Sequence, residues 1–362
     1  MFASDADFLR ALGEEPALSA RGVIARAREL RFQALVRWSG PEGAGEAAFR
    51  ADAEYFYPSS TVKAAQALAA CEKVSSLRAA GVSVTLDTAM VFGDEARPVT
   101  LHENLRRALI VSDNPAANRL LDLVGFDELH ERAARWGLNS LNLRHALSEA
   151  RTPVTATRRV ALAGSDEVIA PARVGVLRKR VEMPGLMVGR GFARAGASGP
   201  SEIEPGAVDF GVKNRVSLSD LCTLMELIAR PERFPPAQRP DVDSDSRAEL
   251  LWAMSARPSE CPAPTLETPA GGEDDLRPLA RGLARDVPAG TRVIEKIGQA
   301  YGFTTSVAAV EVGQTLVSVA ATIETNANGI LNDDRYEYRE LGEPAIRGVG
   351  EAVGLAARAR LG

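Results

Sequence analysis

Histidine is almost missing from this chain of 362 residues, with only His102, His130 and His145 present. A mechanism built on a histidine cluster therefore has little to work with. Cysteine is as sparse: Cys71, Cys222 and Cys261 are odd in number and form no C-x-x-C pair, which excludes a disulfide framework and a thiolate zinc site. No apolar run approaches the roughly 18 residues that a bilayer-spanning helix needs. Basic residues do not outnumber acidic ones, 43 against 48, so the formal charge is −5 and the basic surplus of a nucleic-acid binder is lacking. The first seven residues, MFASDAD, carry neither a basic segment nor an apolar one, so no signal peptide is expected. What is present is an ordinary globular balance, 45% hydrophobic and 25% charged, in a chain long enough for one large domain or two interleaved ones.

Periodicity places strands at both chain ends and helices in the middle. A helical pattern over 4–30 breaks near Gly13 to Pro16, and residues 31–38 read as a strand ended by Ser39-Gly40-Pro41-Glu42-Gly43, with 47–57 as its partner. Residues 60–80 space apolar side chains helically and stop at Gly81. Further helices are expected over 101–111, 115–124, 127–136, 217–229 (with Ser217 as N-cap) and 247–254. The stretch 164–215 reads as a long irregular loop with short strands, and 231–247 and 257–290 as surface connections. Three β-rich runs follow, 292–297, 304–312 and 316–325, spaced as an antiparallel meander, and a terminal helix covers 344–361. The expected fold class is α+β: an antiparallel sheet built from both chain ends, flanked by helices, with a helical second lobe. The expected domains are a discontinuous sheet lobe, 1–58 and 285–362, and a mostly helical lobe, 59–284, with a catalytic cleft between them.

Three short motifs fall in order along those elements. In Ser60-Thr61-Val62-Lys63 a serine at a helix start and a lysine three residues on share one face. A helix N-terminus offers unpaired N–H groups to an oxyanion, and a lysine whose pKa is lowered by burial is able to take the serine proton. A bare S-x-x-K is common, and a capped, solvated helix start is the bland reading. Ser112-Asp113-Asn114 joins two expected helices; Ser112 would relay a proton and Asn114 offer an amide to a substrate carbonyl, or Asn114 simply caps the next helix ahead of Pro115. In Lys296-Ile297-Gly298 the lysine would project into the cleft, and the glycine would admit a substrate backbone; a surface lysine before a turn is the alternative.

Taken together, S-x-x-K, S-D-N and K-x-G resemble the serine penicillin-recognising enzymes, the class A β-lactamases and their D,D-peptidase relatives. The segments Phe56 to Lys63, Val111 to Asn114, Lys213 to Ser217, Lys296 to Phe303 and Leu331 to Tyr338 look like the same family, over about residues 30–360. The resemblance implies a β-lactamase/transpeptidase-like fold, no cofactor or metal, and a small-molecule or peptide-like substrate. It also implies a monomer and a periplasmic or secreted location. By that resemblance Ser60 is the acylated nucleophile and Lys63 its base. Ser112 and Lys296 form a proton and charge network, Asn114 orients substrate, and the backbone N–H groups of Ser60 and of Gln299, after Gly298, make the oxyanion hole.

Two departures stand out. The deacylating E-x-x-L-N loop of class A enzymes has no counterpart; Glu202 and Glu204 precede Asn214-Arg215, and Glu204, followed by Pro205, is either the catalytic carboxylate or a solvated loop glutamate. Ile297 replaces the hydroxyl residue that helps bind a substrate carboxylate and donates no hydrogen bond, which shifts that role to Thr304, Thr305 or an arginine. The expected function is a serine hydrolase opening a β-lactam or a peptide-like amide. The alternatives are a D,D-peptidase or esterase of the same fold, or a catalytically impaired protein that binds cell-wall fragments. His102 and His145 are read as surface or core residues, Asn332-Asp333-Asp334 as a turn, Arg178-Lys179-Arg180 as a solvated loop, and Cys71 as a buried thiol.

Overall fold

A computed structural model describes residues 1–165, 167–194, 202–261 and 276–359. The chain divides into two compact units: unit 1 is Met1–Thr61, Arg180–Cys222 and Arg277–Gly362, and unit 2 is Val62–Lys179 and Thr223–Leu276. Among the described residues the α-helices are α1 (Asp5–Glu14), α2 (Pro16–Ser19), α3 (Lys63–Ala79), α4 (Leu101–Ile110), α5 (Asn114–Val124), α6 (Phe126–Arg135), α7 (Leu218–Ala229), α8 (Ser244–Ala253), α9 (Pro278–Leu283) and α10 (Glu343–Arg358).

Unit 1 is organised by a five-stranded antiparallel sheet drawn from both ends of the chain. Its strands are β1 (Gln33–Gly40), β2 (Gly43–Phe49), β3 (Val293–Ala300), β4 (Phe303–Val312) and β5 (Thr315–Glu324), in the spatial order β3-β4-β5-β1-β2. The register pairs Gln33 with Thr322, Val36 with Val319 and Lys296 with Val307. One side of the sheet carries Ala34, Val36, Val293, Ala308, Val310, Val319 and Ile323 into a core completed by Phe8 and Leu12 of α1, Leu18 of α2, Leu279 and Leu283 of α9, and Ile346, Val349 and Val353 of α10. Strands alternate their side chains across the sheet, so this face consumes every second residue of each strand.

The meander and the both-ends sheet agree with the sequence expectation. The partner of β1 does not: it runs over Gly43–Phe49, not 47–57, because Pro41 and Glu42 alone turn the chain and Gly40 pairs with Gly43. Gly45 sits opposite Trp38, and a Cβ there would lie 2.4 Å from the indole Cζ2, so this strand needs a glycine that sequence rules count against it. α9 was also unexpected within 257–290, of which 262–275 fall outside the described residues. The buried Glu295 carboxylate holds it by accepting the N–H groups of Leu279 (3.1 Å) and Ala280 (2.8 Å).

Unit 2 packs α3 against α4, α5, α6 and α8. Its small sheet orders Val99–Thr100, Ala89–Phe92, Val160–Leu162 and Val168–Ala170. Cys71 is fully buried on α3. Asp122, also without exposure, is satisfied by Arg151 at 2.7 Å and Arg158 at 2.7 Å, the pairing that a buried carboxylate requires. No described helix is long and apolar enough to cross a membrane.

Candidate active site

Each unit carries part of the expected residue set. In unit 1 the segment Tyr57–Ser60 lies against the edge strand β3. Gly298 is the point of closest approach: a Cβ there would stand 2.4 Å from the Ser60 N and 2.8 Å from the Pro58 O, so only glycine permits this packing. Thr305, opposite Gly298, donates from Oγ1 to the Tyr57 carbonyl at 3.3 Å. Ser59 adopts φ +50, a left-handed conformation that non-glycine residues rarely take. Ser60 itself is half-buried in a 3-10 turn, Ser59–Val62, and the α-helix begins only at Lys63 with no side-chain cap at Val62. The helix expected from residue 60 thus starts one turn later.

Lys296 lies on the same face of β3 as Gly298 and is buried, donating from Nζ to the Ile297 carbonyl at 2.9 Å. Burial pushes its ammonium down to about 7, against the opposing pull of the neighbouring Glu295 carboxylate. Glu295, Ile297 and Gln299 alternate onto the opposite, helix-covered face, where Gln299 Nε2 donates to Glu343 Oε1 at 2.9 Å.

In unit 2, Lys63 is the first residue of α3 and has no exposure. Its Nζ donates to the Ser112 carbonyl and lies 3.1 Å from the Ser112 Oγ, so two of the expected residues, 49 positions apart, meet directly. Ser112 takes φ +60 in the short link between α4 and α5. Asp113, not Asn114, caps α5: its carboxylate accepts the Ala116 N–H at 2.7 Å and pairs with Arg107 at 2.7 Å. Burial raises the Asp113 pKa, but the Ala116 N–H, Arg107 and the Lys63 charge outweigh it and hold the carboxyl below its usual range. With the cap supplied by its neighbour, the Asn114 side chain is left for other work, and its Nδ2 donates to Ser148 Oγ at 2.9 Å.

Residues 42–233, more than half of the chain, match the family Beta-lactamase2, the beta-lactamase enzyme family. The chain belongs to the beta-lactamase enzyme family. Solved structures with the same fold include a beta-lactamase from Sphaerobacter thermophilus (TM-score 0.53, 18% identity, covering 95% of this chain and 97% of that one). A beta lactamase from Xanthomonas campestris (0.53, 14%, 100% of both chains) and one from Burkholderia vietnamiensis (0.54, 13%, 99% and 97%) are similar to the same extent. At such identities they establish the fold alone. No curated protein matches the sequence.

Two of the expected residues, Glu204 and Thr304, lie in contrasting surroundings. Glu204 lies on the exposed strand Glu202–Pro205 and pairs with Arg194, 54% exposed, so its carboxylate is solvated and neutralised by a guanidinium. Thr304 has no exposure, and its Oγ1 faces Gly342, where a Cβ would come within 2.6 Å. It is a packing residue beneath the start of α10 and is not available to a substrate. The histidines are accounted for structurally. His130 accepts the Leu143 N–H at 3.0 Å, and burial lowers it to about 4; His102 bridges Asp87 (3.0 Å) and Glu249 (2.9 Å); His145 Nδ1 meets the Ala146 carbonyl at 2.7 Å. Arg180, read as solvated, pairs with Asp209 at 3.0 Å. Ser148 was not singled out from the sequence, where nothing marks it: its place beside Asn114 depends on the path of a loop 34 residues away.

Proposed function

We propose that this protein is a serine hydrolase that forms an acyl-enzyme on Ser60 and acts on a β-lactam or a peptide-like amide. The observation that carries the reading is the Lys63 ammonium, withdrawn from solvent and bonded to Ser112. An uncharged lysine amine is the form able to take a proton. In the proposed reaction neutral Lys63 accepts the Ser60 proton as Oγ attacks the substrate carbonyl. The negative charge forming on the carbonyl oxygen is met by the backbone N–H groups of Ser60 and Gln299, which the close approach of Gly298 to Ser60 supports. The Ser112 hydroxyl passes the proton to the departing nitrogen, the C–N bond breaks, and water later cleaves the ester. Lys296 supplies positive charge, and Asn114 orients the substrate amide.

Glu204 is left out of this scheme, because a solvated, arginine-paired carboxylate is a poor base. Its placement favours a second reading of the same site, a D,D-peptidase-like enzyme in which the acyl-enzyme outlives the assay. A fluorescent penicillin and the chromogenic cephalosporin nitrocefin separate the cases. Labelling with slow nitrocefin turnover is expected. Rapid nitrocefin turnover would favour the lactamase reading, and absence of any adduct would favour a binding protein. Lys63→Ala, folded by circular dichroism, should lose labelling by about 100-fold or more, the scale of a lost general base; labelling at the wild-type rate would contradict the proposed activation.

A further inference from the structure

Ser148 is held in a conformation that its own backbone resists. Its φ of +50 is a left-handed conformation that a residue with a Cβ keeps only where its surroundings over-determine it. Those surroundings are explicit. The Asn118 side chain grips the preceding residue at both backbone groups, Nδ2 donating to the Leu147 carbonyl at 2.9 Å and Oδ1 accepting the Leu147 N–H at 2.9 Å. The same amide donates to Glu149 at 2.8 Å, and Glu149 is tied to Arg151 at 2.9 Å, which in turn reaches the buried Asp122. The residues on either side of Ser148 are therefore anchored to α5, while Ser148 itself is exposed and has its hydroxyl on the Asn114 amide.

We infer that Ser148 is a positioning residue for the acyl-transfer reaction: its Oγ fixes the rotamer of Asn114, so that the second Nδ2–H and the Oδ1 of that amide are presented to the substrate in one orientation. This rests on the reading of Asn114 as a substrate-orienting residue. Without the bond the terminal amide torsion is broad and roughly two-fold, and donor and acceptor would exchange places. The strained loop and its anchors then have a physical purpose that a solvent-facing serine would not.

Acylation by penicillin, followed as the apparent second-order rate constant, separates the possibilities in wild type, Ser148→Ala, Ser148→Gly, Asn114→Ala and the Ser148→Ala/Asn114→Ala double variant. Glycine accepts φ +50 without strain, so Ser148→Gly should melt higher than Ser148→Ala, yet both should acylate about 3- to 10-fold more slowly, the range of one neutral hydrogen bond. The double variant should be no slower than Asn114→Ala alone, since Ser148 acts through that amide. Equal rates for wild type and both Ser148 variants, or multiplicative losses in the double variant, would overturn the inference while leaving acylation of Ser60 intact. A wild-type protein that penicillin does not acylate would overturn the functional reading beneath it.

Discussion

At the scale of single residues, the buried ionisable groups set measurable pH behaviour. His130 is neutral in the fold down to about 4, whereas an unfolded chain protonates it near 6.5. Between those values the unfolded state binds the extra proton, so stability falls as pH drops through this window, by about 3 kcal/mol at its lower end. Urea denaturation of wild type and His130→Gln at pH 7.5 and 4.5 should show the variant losing less, because glutamine still accepts the Leu143 N–H but takes up no proton. Equal losses would contradict the assignment. Lys296 titrates near 7, and in the proposed scheme its charged form does the work. Acylation should therefore decline as pH rises, with a midpoint near pH 7, and that limb should vanish in Lys296→Arg, whose guanidinium stays protonated. The proposed nucleophile, its lysine and the second lysine could be put forward from motifs alone, since each lies within a tripeptide or tetrapeptide. The bond from Asn114 to Ser148 was not, because no local pattern links positions 34 residues apart. For Glu204 a carboxylate before a proline is a local pattern, but the hairpin to Arg194 decides its solvation.

At the scale of elements, the S-D-N segment is a helix start as well as part of the proposed site. Asp113→Ala removes the α5 cap and the Arg107 partner and should cost about 1–2 kcal/mol, whereas Asp113→Asn keeps a cap acceptor and should recover part of it. Unfolding measurements that rank the two variants equally would contradict the cap. Gly298→Ala places a Cβ 2.4 Å from the Ser60 N, and because the obstacle is backbone, β3 or the Tyr57–Ser60 segment must move. Penicillin acylation should fall by about 10-fold or more, as displacements near 1 Å do in other active sites. The elements themselves divide by how much local signal they carry. β4 and β5 are ten-residue runs buried on nearly every residue and were easy to place. β2, with two glycines and two alanines in its first five residues, and the strands of two to four residues between 156 and 205, are defined by their partners and not by their own propensity.

At the scale of the whole molecule, the defining feature is a sheet whose strands come from opposite chain ends, with β1 and β5 paired along seven residues. Helices α1 and α2 cover its inner face together with α9 and α10, and Phe8, Leu12 and Leu18 are without exposure. Leu12→Ala should therefore cost about 2–5 kcal/mol, the range for a core leucine, and a cost below about 1 kcal/mol would contradict the packing. The both-ends sheet was legible because strand patterns sat at the two termini with helical periodicity between them. The assignment of 180–194 and 202–217 to unit 1 carries no periodic signal, since those stretches are held by turns and short pairings.

Acylation of Ser60 is read out by intact-protein mass spectrometry after exposure to penicillin G. The expected result is a mass increase equal to one whole penicillin molecule, mapped by peptide sequencing to the segment containing Ser60 and abolished in Ser60→Ala. An adduct that persists in Ser60→Ala, or that maps to another nucleophile, would contradict it.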